Sequence, residues 1–405
     1  MIRERPLYVG LIKHLAFRHG KMAFLAGPRQ VGKTTIARQI LAGAPDDGLY
    51  FTWEDPAFRR TWMKDPASLV PRRVAGTPVI VLDELHKAPQ WKNRLKGLWD
   101  LRGEEARIVV TGSARLDVFR RGGDSLVGRY FLFRAHPFSL GELGEATVAP
   151  ADLPAAVARS APGRPDELAV LLEHGGFPEP FLKRDAAFTS LWRRTRTERL
   201  VREDLRDLNR VAEISLVEAA VSLLPERVGS PFSMKSLAED LEVSPSTIKR
   251  WMEWLSRVYL VHRVPPYDRS VARSLKKQPK VYFWDWSEVP EPAARFENLV
   301  AGHLLKAVHA WTDSGLGTFD LRYVRDKEKR EVDFLLLRDR RPWMLVECKT
   351  SDTAPSAHLL RFADVLGVEL VLQVVAAGGI HEWFAAGKGR RGHVVSADSF
   401  LRLLP

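Results

Sequence analysis

Short apolar runs open the chain at Met22–Ala26, Leu49–Trp53, Val79–Leu82, Arg107–Val110 and Tyr130–Phe133. Each is apolar or β-branched, and polar or amphipathic segments of helix length separate them. Such alternation predicts βαβ units, a parallel sheet and helices on both faces. Ala146–Pro165 is rich in Ala and Pro and reads as a boundary. From Asp166 to about Glu226 the period is helical. Phe232–Val264 reads as a small helical module. Mixed α/β patterning returns from Arg295 to Pro405, with strands expected near Leu321–Val324, Val332–Leu337, Trp343–Lys349 and Leu370–Val375. The fold class is therefore α/β and multidomain. The expected divisions are a nucleotide-binding core over 1–165, a helical lid over 166–226, a helix-turn-helix module over 227–290 and a C-terminal α/β domain over 291–405.

At 405 residues the chain is too long for one ordinary core. Its net charge of +12 favours an anionic partner without choosing one. Cys348 is the only cysteine, so no internal disulfide forms, which fits a reducing cytoplasm. Met1–Lys21 lacks a signal-peptide apolar core, and no apolar run nears the ~20 residues that span a bilayer. The expectation is a cytoplasmic protein with no membrane partner.

Chemistry enters at Gly27-Pro28-Arg29-Gln30-Val31-Gly32-Lys33-Thr34, which fits G-x-x-x-x-G-K-[ST] at every fixed position. A β-run precedes it and a helical run beginning at Thr35 follows. The glycines let backbone N–H groups approach phosphate, and the helix presents its positive end to the same anion. Lys33 is expected at the β- and γ-phosphates of ATP, and Thr34 on Mg²⁺. The run Pro78–Leu82 ends in Asp83 and Glu84. Ligands bind beyond the C-terminal strand ends of a parallel sheet, so Asp83 falls where Mg²⁺ belongs and Glu84 where attacking water is oriented. The strand Ile108–Val110 ends in Thr111-Gly112-Ser113, and Thr111 or Ser113 would sense the γ-phosphate or hold the water. Arg115, Arg120, Arg121 and Arg129 follow. An arginine from a neighbouring subunit would stabilise charge on the transferred group, with Arg129 the first choice.

These motifs, with Leu82-Asp83-Glu84-Leu85 and Gly128-Arg129…His136-Pro137-Phe138, resemble the AAA+-type ATPases of bacteria and archaea. In that family the ATPase core precedes a winged helix and a restriction-endonuclease-like domain. The resemblance implies a central sheet in 5-1-4-3-2 order. It also implies a homo-oligomer, of which a hexameric ring is one form.

Ser233–Leu241 and Pro245–Arg257 read as two helices with Val243-Ser244 in the turn. Ser244 suits an N-cap and Pro245 the first helical position. Ile248, Met252 and Leu255 point inward, and Ser246, Thr247, Lys249 and Arg250 outward, where a recognition helix meets a major groove. Arg269, Arg273, Lys276, Lys277 and Lys280 then follow with no acid among them, an arm for DNA phosphates. Interdomain packing is the competing use of such a module. Upstream, Leu191–Arg210 carries seven arginines among acids and reads as a solvated helix with i,i+4 pairs such as Glu198–Arg202, or as a phosphate contact.

In the C-terminal part, Val332-Asp333-Phe334-Leu335 precedes Val346-Glu347-Cys348-Lys349. Period two puts Glu347 and Lys349 on one strand face. Asp333 and Glu347 would hold Mg²⁺, Lys349 would activate water, and Glu297 on a helix would supply a further carboxylate. The pattern resembles the PD-(D/E)xK nucleases, including archaeal Holliday-junction-cleaving enzymes, with Val332 standing where proline usually precedes the first Asp. That comparison implies a nuclease that cuts DNA, branched DNA among its substrates, or the same fold kept as a binding platform. Two functions follow. One is an ATP-hydrolysing DNA-binding or remodelling motor. The other is a nucleotide-dependent regulatory switch whose C-terminal domains only bind.

Overall fold

A computed structural model of the protein describes residues 4–44, 48–71, 76–112, 126–144, 147–159, 163–204, 214–268 and 277–405. The chain forms two compact units, residues 1–136 and 137–405. The break follows His136. Leu153 and Val157, inside the Ala- and Pro-rich stretch, are instead buried in the second unit's core.

The first unit is built on five strands: β1 (Met22–Ala26), β2 (Leu49–Thr52), β3 (Val79–Asp83), β4 (Arg107–Gly112) and β5 (Tyr130–Arg134). All five come from the apolar runs of the sequence. Pairing is parallel throughout, in the order β2-β3-β4-β1-β5, which is the 5-1-4-3-2 arrangement. Every residue of β1 and β3 is buried, as expected for strands covered on both faces. Leu25 lies beside Thr111 and Thr52 beside Asp83, so the C-terminal ends of β1 to β4 open onto one edge. Phe24, Trp62, Ile80, Trp91 and Ile108 join one apolar cluster beneath them.

The second unit begins with helices, including Pro165–His174 and Ala186–Arg199. Arg196 departs from the solvated reading of this region. It is buried, its guanidinium lies 4.2 Å over Phe177, and it donates to the Tyr259 carbonyl. Arg202 pairs with Glu218 at 2.6 Å rather than with Glu198. The aromatic face of Phe177 and Trp192 explains Arg196: its long stem packs while its head finds a carbonyl.

Helices Met234–Asp240 and Pro245–Arg257 are capped by Ser233 and Ser244, whose side chains accept from Ser236 and Thr247 N–H groups. Ile248, Trp251, Met252 and Leu255 are buried. The module is not wholly helical. β6 (Val261–Val264) pairs antiparallel with β7 (Lys280–Phe283). The long helix Pro292–Asp313 follows, and then a six-stranded sheet made of β8 (Phe319–Arg325), β9 (Glu331–Arg338), β10 (Arg341–Lys349), β11 (Leu370–Val375), β12 (His381–Ala385) and β13 (Arg391–Ser396). Its order is β12-β13-β11-β10-β9-β8. β8, β9 and β10 pair antiparallel. β10, β11 and β13 pair parallel, with helix Ala357–Leu366 crossing between β10 and β11. A single apolar cluster runs from Phe138 to Leu404, so helices, ladder and sheet share one core. Among the described residues no helix is long and apolar enough to cross a membrane.

Candidate functional site

In the first unit, β1 ends at Ala26 and the chain turns at once. Gly27 has φ +155°, and a Cβ there would fall 2.4 Å from the Ala135 carbonyl oxygen, so this position admits only glycine. Gly32, at φ +92°, caps the helix Lys33–Ala42. Lys33 is the first residue of that helix, and its Nζ is buried against the loop, donating to the carbonyls of Gly27 at 3.0 Å and Pro28 at 2.6 Å. Pro28, Arg29, Gln30 and Val31 lie between the two glycines, with Gln30 in the left-handed region. The cradle is thus formed by backbone, with the lysine folded into it.

Asp83 ends β3, is buried, and is ringed by hydroxyls. Oδ2 accepts from Thr34 Oγ1 at 2.9 Å and from the Tyr50 phenol. Oδ1 accepts from Thr111 Oγ1. Burial and the Asp83 carboxylate push the Tyr50 hydroxyl up to about 12. Thr111 also accepts from the Glu84 N–H at 3.2 Å, so it ties together the two acids of the strand end. Glu84 sits at φ +56°, opening a turn. Its carboxylate lies 3.4 Å from Lys87 Nζ and 3.8 Å from His86 Nε2, while Lys87 also reaches Glu54 at 2.5 Å. Thr34, Asp83 and Thr111 therefore meet beside the loop, and Glu84 joins them through its backbone N–H, its carboxylate lying beside His86 and Lys87. Thr35 follows on the same helix. Tyr50, Glu54 and Lys87 were not foreseen. Tyr50 carries no motif, and only its placement on β2 beside β3 brings it to Asp83.

Arg129 lies at the other end of the sheet. Its carbonyl accepts from the Met22 N–H at the start of β1, and its Nε donates to Asp100 at 2.9 Å. Ser113, Arg115, Arg120 and Arg121 lie outside the described residues.

In the second unit a carboxylate cluster forms where β7, β9, β10 and the helix Pro292–Asp313 meet. Lys280 of β7 is fully buried, and its ammonium lies 3.1 Å from Glu297 Oε1, 2.8 Å from Glu331 Oε1 and 3.0 Å from Asp333 Oδ1. The three carboxylates hold its pKa well above the usual lysine range against the cost of burial. Tyr282 donates to Glu297 at 2.6 Å, and the Cys348 N–H donates to Asp333 Oδ2 at 2.9 Å. Lys349 Nζ bonds Glu347 Oε1 at 2.9 Å. Burial, reinforced by the Asp333 charge, raises Glu297 and Glu347 to about 7. Gly229, at φ +79°, passes so close that a Cβ there would sit 3.0 Å from Glu297 Oε2.

Glu297, Asp333, Glu347 and Lys349 are thus neighbours, as the sequence predicted. Lys280 is the correction: it was expected in a phosphate-binding arm and is buried among acids instead. The signal for it was present. Lys280-Val-Tyr282, Glu331-Val-Asp333 and Glu347-Cys-Lys349 are three period-two pairs, each presenting two polar side chains on one strand face.

Of the expected DNA contacts, Lys249 and Arg250 are exposed at the start of helix Pro245–Arg257, with Arg250 over Trp254 at 5.3 Å. Thr247 differs from expectation. It is half-buried, and its hydroxyl bonds Ser244 at 2.9 Å within the cap. Lys277 pairs with Asp268 at 3.1 Å. Arg269, Arg273 and Lys276 lie outside the described residues. Lys235, Lys249, Arg263 and Lys277 line a cavity of about 700 Å³ floored by Phe232 and Pro245.

A glycine cradle with its lysine, an acidic strand end beside it and a parallel sheet in 5-1-4-3-2 order define a P-loop ATPase domain. Residues 19–144 match the family model described as "AAA domain", and this segment is an AAA-type ATPase domain. Residues 165–288 and 293–379 match two models described as domains of unknown function, DUF8612 and DUF4143. Two mycobacterial relatives are each 25% identical over 375 residues, covering 91% of this chain and 79% of theirs. They are described as "Uncharacterized protein Rv2008c" of Mycobacterium tuberculosis and "Uncharacterized protein Mb2031c" of Mycobacterium bovis. Among solved structures, the Orc1 protein of Aeropyrum pernix in complex with DNA is 15% identical, with a TM-score of 0.33, covering 74% of this chain and 96% of that one. The Thermotoga maritima RuvB Holliday junction branch migration motor is also 15% identical, with a TM-score of 0.32, covering 68% of this chain and 96% of that one. Neither structure is close enough to assign a function to this chain.

Proposed function

We propose that the protein is an ATP-hydrolysing, DNA-binding ATPase whose second unit carries a winged helix and a nuclease-like fold. MgATP is the substrate. The loop N–H groups and Lys33 bind its β- and γ-phosphates. The Thr34 hydroxyl and Asp83 carboxylate, 2.9 Å apart, offer adjacent oxygens to its Mg²⁺. Glu84 orients and deprotonates the attacking water, with Thr111 fixing its backbone. Arg129 serves a neighbouring copy, since its strand end is remote from its own phosphate loop.

DNA as the partner is carried by one observation: the cation-lined cavity of about 700 Å³ at the start of helix Pro245–Arg257. Four cations around an apolar floor suit a polyanion with stacked rings. Two capped helices followed by the β6–β7 ladder support the winged-helix reading. Helix Pro292–Asp313, β8, β9, β10, helix Ala357–Leu366 and β11, in that order, support the nuclease-like reading. Branched DNA remains the favoured substrate class on the nuclease resemblance. The burial of Lys280 among the acids favours, for the C-terminal fold, the binding role of the regulatory-switch alternative.

The test is steady-state ATP hydrolysis at fixed low salt without DNA and with single strand, linear duplex or four-way junction, with Lys33→Ala as the blank. Stimulation by one DNA form, weakened by Lys249→Ala, supports the proposal. Equal rates in all four conditions, with no DNA bound, overturn it.

A further inference from the structure

The cluster around Asp333 contains a cation already, supplied by the chain. An ammonium has three N–H donors, and Lys280 Nζ has three carboxylate oxygens, from Glu297, Glu331 and Asp333, at 2.8 to 3.1 Å. The donor count and the acceptor count match. Lys280 is not a surface side chain that can swing aside. Its backbone pairs with Val264 in the ladder and bridges Pro231, and its ammonium also lies 5.7 Å from the centre of the Tyr323 ring.

The acids have further partners as well. Asp333 Oδ2 accepts from the Cys348 N–H, Glu297 Oε1 from Tyr282, Glu331 Oε2 from Arg325 and Glu347 Oε1 from Lys349. Glu347 Oε2 is buried without a hydrogen-bond partner and Glu297 Oε2 faces Gly229, but two oxygens do not make a site for a hard cation that takes six or more. A divalent ion entering beside the ammonium would meet a like charge at short range in a poorly solvated interior, where repulsion is weakly screened. The residues present do not fit Mg²⁺.

We infer that Lys280 is the resident cation of this cluster, and that Glu297, Glu331 and Asp333 form a metal-free joint fastening the β6–β7 ladder to the C-terminal sheet. The inference rests on the nuclease-like reading of the fold, which makes a metal the expected occupant. Its test needs neither ATP nor DNA, so its failure is distinct from failure of the ATPase or DNA reading.

The measurement is Mn²⁺ binding to the full, nucleotide-free chain, read by electron paramagnetic resonance and by the shift in melting temperature. Wild type and Asp333→Asn are expected to bind Mn²⁺ equally, any shared signal arising elsewhere. Lys280→Met is expected to melt lower without metal and to regain melting temperature as Mn²⁺ is added. That gain is lost in Lys280→Met combined with Asp333→Asn. Wild-type Mn²⁺ binding that Asp333→Asn abolishes would overturn the inference, and this arm decides even where Lys280→Met fails to fold. Lys280→Met melting with wild type in the absence of metal would overturn it too.

Discussion

Asp83 and Asp333 both lie among polar partners beside a β-strand, yet their surroundings differ in kind. Asp83 is held by three neutral hydroxyls, from Thr34, Tyr50 and Thr111. Asp333 is held by a buried ammonium and a backbone N–H. Hydroxyls orient a carboxylate and leave its charge uncancelled, so a cation can still be attracted and a hydroxyl can turn to share it. An ammonium cancels the charge, and removing it from a buried site strands the acids it compensated. In the roles proposed for them, the same residue type serves chemistry in one unit and cohesion in the other, and the partner decides which.

The contrast is broken most directly at Asp83. Asp83→Asn is expected to lower steady-state ATP hydrolysis by about 10²–10³-fold, the usual cost of losing a preorganised charge. Its melting temperature should stay near that of wild type, because the hydroxyl partners still bond an amide. A variant that hydrolyses ATP normally would remove Asp83 from the site.

A pH series sharpens the other half. Glu297 has a folded-state pKa of about 7 against an ordinary value of 4.5. The folded protein therefore keeps a proton that the unfolded chain has released between those values. The resulting stability is full below the unfolded value and is lost as pH rises through about 7. The second unit should melt a few degrees lower above pH ~8 than below pH ~6, and Glu297→Gln should flatten the decline. A melting temperature that climbs with pH across this window would contradict the assignment.

The smallest effect belongs to Tyr50→Phe, which removes one of three neutral donors. A loss of about 1 kcal/mol is expected, read as a rise of less than tenfold in the MgATP KM with kcat largely kept. A collapse of kcat would show that the phenol does more than orient Asp83.

The phosphate loop was legible because its requirements are local. Gly27, Gly32, Lys33 and Thr34 each serve one turn of backbone, and adjacent residues state the whole device. β1 and β3 were legible because every residue is buried and the runs are continuously apolar, and the edge strands β2 and β5 because their aromatic and aliphatic runs stand out though only partly buried. Lys280 was hidden because its partners lie 17 to 53 positions away, and a basic stretch disguised it. β12 was missed for another reason. It is an edge strand whose Glu382, Trp383 and Ala385 are exposed, so no burial pattern marks it. Thr247 was placed facing a DNA groove and Arg196 on a solvated or phosphate-contacting helix, because helical period and charge pattern cannot see a neighbouring carbonyl or cap.

Arg129 has a consequence for how copies can meet. It stands at the start of β5, whereas the phosphate cradle stands at the end of β1, so giver and receiver occupy opposite poles of one sheet. In the role proposed for Arg129, each copy gives at one pole and receives at the other. A two-fold pair meets this demand by lying antiparallel, with each copy's arginine pole beside the other's cradle. Copies that all face the same way meet it head to tail instead, each one's arginine pole against the next one's cradle, around a common axis.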